Sequence, residues 1–277
     1  MQLALAVQTP DVTRPLPVAL LSGTWSEKLD KAARLGVDGL ELMTADPAQL
    51  DAPALRAGIE AHGLTAAAIG SGAAALQAGL NLLHAEPDVS ARAVVRLHEL
   101  IAFAAAVGAP LVTIGSFRGK LACVGKDGRA RLVDILRQAA EVAAAAGVRL
   151  ALEPLNRYEA DLVNTAEEGL AFVETVGHPA LGLLLDTYHV NIEEASWEAP
   201  FRRVMQAGKL WHVHLGDNNR LSPGDGMIDF AALVRTLHTL GYAGCLSAEL
   251  LALPDPDTAA HRTVEHMRPL LEAAGCA

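Results

Sequence analysis

The chain has 277 residues, 51% of them hydrophobic and 19% charged, and a formal net charge of −10. That length and apolar content can bury a sizeable core, while the acidic balance repels a polyanion and excludes nucleic acid as a partner. No apolar stretch is long enough to cross a membrane, and the opening "MQLALAVQTPDV" lacks the basic start of a signal peptide, so a soluble cytoplasmic protein is expected.

Taken in chain order, short apolar runs alternate with longer amphipathic segments. The runs are "LALAV" (3–7), "DGLEL" (38–42), "LTAAAI" (64–69), "LVTI" (111–114), "VRLALE" (148–153), "LGLLLD" (181–186), "LWHVH" (210–214) and "CLSAE" (245–249). Between them lie helical patterns such as "SEKLDKAARLG" and "DFAALVRTLHTLG", several ending in the glycine that caps a helix in the left-handed region. A last segment, 257–274, predicts an eighth helix. Continuous apolar runs separated by helices indicate parallel strands covered on their outer face. Eight of each predicts an α/β fold, a single (β/α)8 TIM barrel domain over 1–277. No glycine-rich nucleotide loop follows any strand, and Cys123, Cys245 and Cys276 share no metal-type spacing.

Such a barrel carries its chemistry at the C-terminal ends of the strands. Each of the last four predicted strands ends in a side chain able to hold a metal: Glu153, Asp186, His214 and Glu249. Singly, each has a plain structural explanation, since Asp186 can cap a helix and Glu249 can pair with a surface lysine. Together, three carboxylates at a small mouth repel one another unless a cation stands between them. Three carboxylates with one imidazole make a mainly oxygen site suited to one divalent ion, Mn²⁺ first, or Mg²⁺ or Co²⁺. His212 shares a strand face with His214 and is expected behind it or in the core. The remaining histidines, His62, His84, His98, His178, His238, His261 and His266, fall on helices or loops and are expected to be surface or packing residues.

"EPLNRYE", "LLLDTYHVNIEE", "HVHLGDNNR" with "PGDG", and "SAE" resemble the ketose 3-epimerases, the D-tagatose and D-allulose (psicose) 3-epimerase family of xylose-isomerase-like barrels. The resemblance runs from Glu153 to Glu249, about a third of the chain, with an insertion of about two residues between Asp186 and His214. "AIGSGAAALQAGLNLLH", "LVTIGSFRG" and "LALPDP" look like the 5-keto-L-gluconate epimerase branch. The family implies that Glu153, Asp186, His214 and Glu249 bind the metal and that Glu153 and Glu249 are also the acid–base pair. It further implies that Glu159, His189 and Arg220 hold the sugar, and that the chain forms a homo-dimer or homo-tetramer. Two departures stand out. The aromatics that pack the far end of neutral ketoses are not placed in a chain with 4% aromatic residues, and Arg118 in "GSFRGK" follows the fourth strand toward the same mouth.

The implied reaction inverts the carbon next to the ketone, C3 of a ketose or its equivalent in a keto-sugar acid. A divalent ion polarises the carbonyl and stabilises the enediolate, and two carboxylates on opposite faces remove and return the proton. Glu159 is expected to orient His189. Arg118 and Lys120 are expected to clamp a distal carboxylate, which would favour 5-keto-L-gluconate over D-tagatose, D-fructose or D-allulose. The rival readings on the same barrel are an inosose dehydratase-like lyase, an aldose–ketose isomerase like hydroxypyruvate isomerase, a DNA-repair endonuclease and a non-catalytic sugar-binding barrel. The net charge disfavours the endonuclease.

Overall fold

The computed structural model describes residues 1–275. Eight strands form a closed barrel in sequence order: β1 (Gln2–Gln8), β2 (Gly39–Met43), β3 (Thr65–Gly70), β4 (Leu111–Ile114), β5 (Arg149–Leu152), β6 (Leu181–Asp186), β7 (Leu210–Leu215) and β8 (Cys245–Ala248). Every neighbouring pair is parallel, and β1 closes on β8 with Ala4 opposite Ser247. This is the α/β TIM barrel expected from the alternation. The strands are buried on both faces, which explains why their sequences read as apolar runs without strict alternation.

The helices are α1 (Trp25–Leu35), α2 (Ala52–Ala61), α3 (Gly72–Ala78), α4 (Pro87–Val107), α5 (Gly128–Ala145), α6 (Ala166–Val176), α7 (Thr187–Glu193), α8 (Glu198–Gln206), α9 (Phe230–Thr239) and α10 (Pro256–Ala273). Their ends carry local signals. Thr24 and Thr165 each form a reciprocal capping box with the glutamate three residues on, and Gly36 and Gly177 end the same helices at positive φ. The expected eighth helix is α10. Cys245 is buried and Cys123 exposed, both as free thiols, while Cys276 lies outside the described residues.

Two short helices depart from a simple alternation. α3 follows β3, and α7 follows β6 directly. His189, three residues beyond Asp186, therefore sits in a helix whose N-cap is Asp186. No helix among the described residues is long and apolar enough to cross a membrane.

Candidate active site

Glu153, Asp186, His214 and Glu249 come together at the C-terminal mouth, each offering one ligand atom, all within 4.8 Å of one another. β5 ends at Leu152, but the Glu153 N–H still donates to the Ile114 carbonyl (3.0 Å), so the ladder carries Glu153 one step past the strand and holds its Cα in register. Gly115 leaves the space its carboxylate needs, because a Cβ there would overlap Glu153 Oε2. Asp186 serves both explanations open to it: Oδ1 accepts the Tyr188 N–H (2.8 Å) as the cap of α7, while Oδ2 faces the cluster.

The donor set suits a divalent cation. Glu153 Oε1, Asp186 Oδ2 and His214 Nδ1 are all buried and without a hydrogen-bond partner. His214 Nδ1 lies 3.6 Å from Glu153 Oε1 and 3.4 Å from Glu249 Oε2, contacts longer than good hydrogen bonds. Unpaired buried polar atoms are costly, and three converging from three strands fit one bound ion. The electrostatics agree. Burial, aided by the Glu153 charge, pushes Asp186 up to about 7. Burial also raises Glu153, with the Glu249 charge adding to it and His214 opposing. Burial works on Glu249 too, yet His214 and Arg220 outweigh it and hold that carboxyl below its usual range.

His189 lies against this centre, its Nε2 3.7 Å from Glu153 Oε1 and 3.8 Å from Asp186 Oδ2. Its Nδ1 accepts the Asn156 backbone N–H (3.3 Å) and lies 2.8 Å from the Asn156 side-chain amide. A backbone N–H can only donate, so Nδ1 is the acceptor and the neutral ring carries its proton on Nε2, facing the centre. Burial, reinforced by Arg220, keeps this imidazole neutral well below the ordinary histidine range. Asn156 also donates to Glu159 Oε1 (3.0 Å), which accepts from Arg220 Nη1 (3.1 Å). Glu159 therefore acts on His189 through Asn156, a residue that the sequence reading did not single out.

Arg220 sits at φ 61°, a left-handed conformation for a side-chain-bearing residue, with its guanidinium 5.0 Å above the Tyr188 ring and Nη2 3.8 Å from Glu249 Oε2. The loop that holds it is folded around Asp217, fully buried. The Asp217 carboxylate accepts four backbone N–H groups, from Asn218, Gly224, Gly226 and Ile228. Residues 29–270 match the family described as Xylose isomerase-like TIM barrel.

The chain belongs to that family. It is 39% identical over 218 residues to an L-ribulose 3-epimerase of Mesorhizobium japonicum, covering 77% of this chain and 71% of that one. It is 34% identical over 232 residues to a D-psicose 3-epimerase of Ruminiclostridium cellulolyticum, covering 80% of this chain and 76% of that one. A solved structure of an L-ribulose 3-epimerase superposes with a TM-score of 0.79 at 31% identity, over 98% of this chain and 95% of that one. These relatives place the chain among the sugar epimerases, in the isomerase class.

Within this xylose isomerase-like barrel, the expectation for Arg118 is corrected. Its side chain is fully buried and reaches into the loop after β5. Nη1 donates to the Glu153 carbonyl, and Nη2 donates to the carbonyls of Leu162 (2.8 Å) and Val163 (3.1 Å). Burial pulls the guanidinium down to about 10 against the pull of Glu153 and Asp161. With Nη1 and Nη2 bonded to main-chain oxygens, Arg118 ties a candidate metal ligand to the loop bearing Asn156 and Glu159.

The other residue that the sequence reading missed is Glu41, buried within β2. Its Oε2 accepts from His212 Nε2 (3.0 Å) and His214 Nε2 (2.9 Å). The signal was present in "DGLEL", where an acid sits inside an otherwise apolar strand and not at its end. His212 is buried behind His214, where its spacing put it.

Proposed function

We propose that the chain is a divalent-metal-dependent ketose 3-epimerase, with Glu153 and Glu249 as a two-sided acid–base pair. The observation that carries this reading is the convergence of Glu153, Asp186, His214 and Glu249, with buried unpaired ligand atoms, at the catalytic end of the barrel. The mainly oxygen donor set favours Mn²⁺, with Mg²⁺ or Co²⁺ as substitutes. When bound, the ion supplies Lewis acidity, polarising the ketone and stabilising the enediolate.

The protein's own groups carry the protons. Glu153 follows β5 and Glu249 follows β8, so the two reach the substrate from different sides of the mouth. One carboxylate takes the C3 proton and leaves the enediolate; the other, in its acid form, delivers a proton to the opposite face. The reverse reaction exchanges their roles. The neutral His189 Nε2–H is a donor for a sugar oxygen, and Arg220, steadied by Glu159 and Tyr188, supplies a second donor that is cationic.

A neutral ketose suits this site better than a keto-sugar acid. Of the two residues expected to bind a distal carboxylate, Arg118 and Lys120, the first is bonded to main-chain carbonyls, and the mouth is dominated by carboxylates. The test is incubation of the Mn²⁺-loaded protein with L-ribulose, D-fructose, D-tagatose and 5-keto-L-gluconate in D₂O, followed by NMR. Epimerisation with deuterium entering C3 of a neutral ketose is expected. Faster turnover of 5-keto-L-gluconate would restore the acid-specific branch, loss of water would indicate a lyase, and exchange at C1 an aldose–ketose isomerase.

A further inference from the structure

We propose that Glu41 is the positioning residue that fixes the ring orientation and tautomer of His214, so that its Nδ1 lone pair is aimed at the metal centre. The inference rests on the metal-dependent reading above.

The argument begins with topology. β2 and β7 are not neighbours in the barrel, so a contact between Glu41 and His214 must cross the barrel interior. It does so with hydrogen-bond geometry, the Nε2–H of His214 and of His212 converging on one oxygen, Glu41 Oε2. The other oxygen, Oε1, accepts from Thr113 Oγ1 (3.2 Å) on β4, again across a strand. Glu41 thus has three donors and almost no exposure. A buried carboxylate is costly without such partners, and here the three donors come from β4 and β7, neither of them a neighbour of β2.

The consequence for His214 follows from the chemistry of imidazole. A carboxylate can only accept, so His214 Nε2 carries a proton. In the neutral ring that leaves Nδ1 as the lone-pair nitrogen, and Nδ1 is the atom beside Glu153 and Glu249. Loss of Glu41 removes the hydrogen bond that opposes the other tautomer and a ring flip that would present carbon to the centre. A carboxylate behind a ligating imidazole also makes the ring a stronger donor.

Glu41, His212 and His214 could instead form a second metal site, since their ligand atoms also cluster. That alternative strips the proton from His214 Nε2 and leaves the ring bridging two ions, which separates the two ideas by stoichiometry.

The test is calorimetric titration of metal-free protein with Mn²⁺, comparing wild type with Glu41→Gln. One ion per chain is expected for both, bound about 10–100-fold more weakly by the variant. Affinity of a folded variant within about twofold of wild type would overturn the proposal, as would a wild-type stoichiometry of two ions falling to one in the variant. Wild type that binds no divalent ion would sink the metal-dependent reading itself; an intact wild-type site with an unaffected variant would sink only the role of Glu41. If Glu41→Gln does not fold, ¹⁵N-histidine NMR of the Mg²⁺-loaded wild type decides. A proton on Nε2 of His214 with metal-perturbed Nδ1 is expected, and a proton on Nδ1 would overturn the assignment.

Discussion

Arg118 holds Glu153 by its main-chain carbonyl while the Glu153 carboxylate faces the other way, into the candidate metal centre. The same guanidinium also binds the carbonyls of Leu162 and Val163, so one buried cation fastens both ends of the loop that carries Asn156 and Glu159.

Replacing Arg118 with methionine keeps much of the volume and leaves those carbonyls without their donors. We expect a stability loss of about 2–4 kcal/mol, seen as a lower Tm, together with weaker Mn²⁺ binding. The ratio of kcat/KM for 5-keto-L-gluconate to that for a neutral ketose should not change. A selective fall for the acid at unchanged Tm would return Arg118 to the role of a substrate clamp.

Glu153→Gln and Glu249→Gln each remove one side of the proposed acid–base pair. With Mn²⁺ raised to saturate the weakened site, net epimerisation should fall by about 10²–10⁴-fold or more in either variant. Each variant should still exchange the C3 proton of one epimer with D₂O, and the two should favour opposite epimers. NMR of both epimers in D₂O reads this directly; loss of exchange for both epimers in one variant would point to a single-base mechanism.

Asp186 gives the metal-free protein a pH dependence with a definite sign. Its folded value of about 7 lies above the unfolded value near ~3.9, so the folded state holds the proton over that window. Its contribution to stability is fully present below pH ~4 and is lost as pH rises through about 7. Metal-free Asp186→Asn should therefore gain in Tm relative to metal-free wild type as pH rises from about 4 to about 7. Mn²⁺ should raise the Tm of wild type at pH 7 and do much less for the variant. A difference between the two proteins that stays flat with pH would show that Asp186 is ionised throughout.

Asn156→Ala cuts the link between Glu159 and His189 and removes the side-chain contact at His189 Nδ1. Since Asn156 touches no candidate metal ligand through its side chain, Mn²⁺ affinity should stay within about twofold, while kcat/KM falls by about 10–100-fold, the scale for a group that orients a catalytic residue. Titration with Mn²⁺ alongside steady-state kinetics separates the two. A matching loss of metal affinity would mean that Asn156 supports the whole loop.

Several features were legible in the chain because they are local. A parallel strand buried on both faces reads as an apolar run, and a helix announces its ends through residues such as Thr24, Glu27 and Gly36. The site residues from β5 to β8 were visible for a related reason: strand ends in this fold converge, so position along the strand alone predicts proximity. His189 was found, but its helix was not, because α7 has only seven residues and its cap, Asp186, also marks the strand end.

The sequence by itself determined the strand–helix alternation, and with it the barrel, and which acids stand at the mouth. Only the tertiary structure decided where Arg118 and Glu41 point. Arg118 follows its strand as a mouth residue would, but the carbonyls of Leu162 and Val163, over forty residues later, present a buried set of acceptors that draws the guanidinium inward. Glu41 is an isolated acid until the closed barrel brings His212 and His214 across the interior to it. Periodicity reports which face of an element a side chain occupies; the partner it meets depends on segments far away in the chain, and a buried charge is stable only where those partners have been assembled.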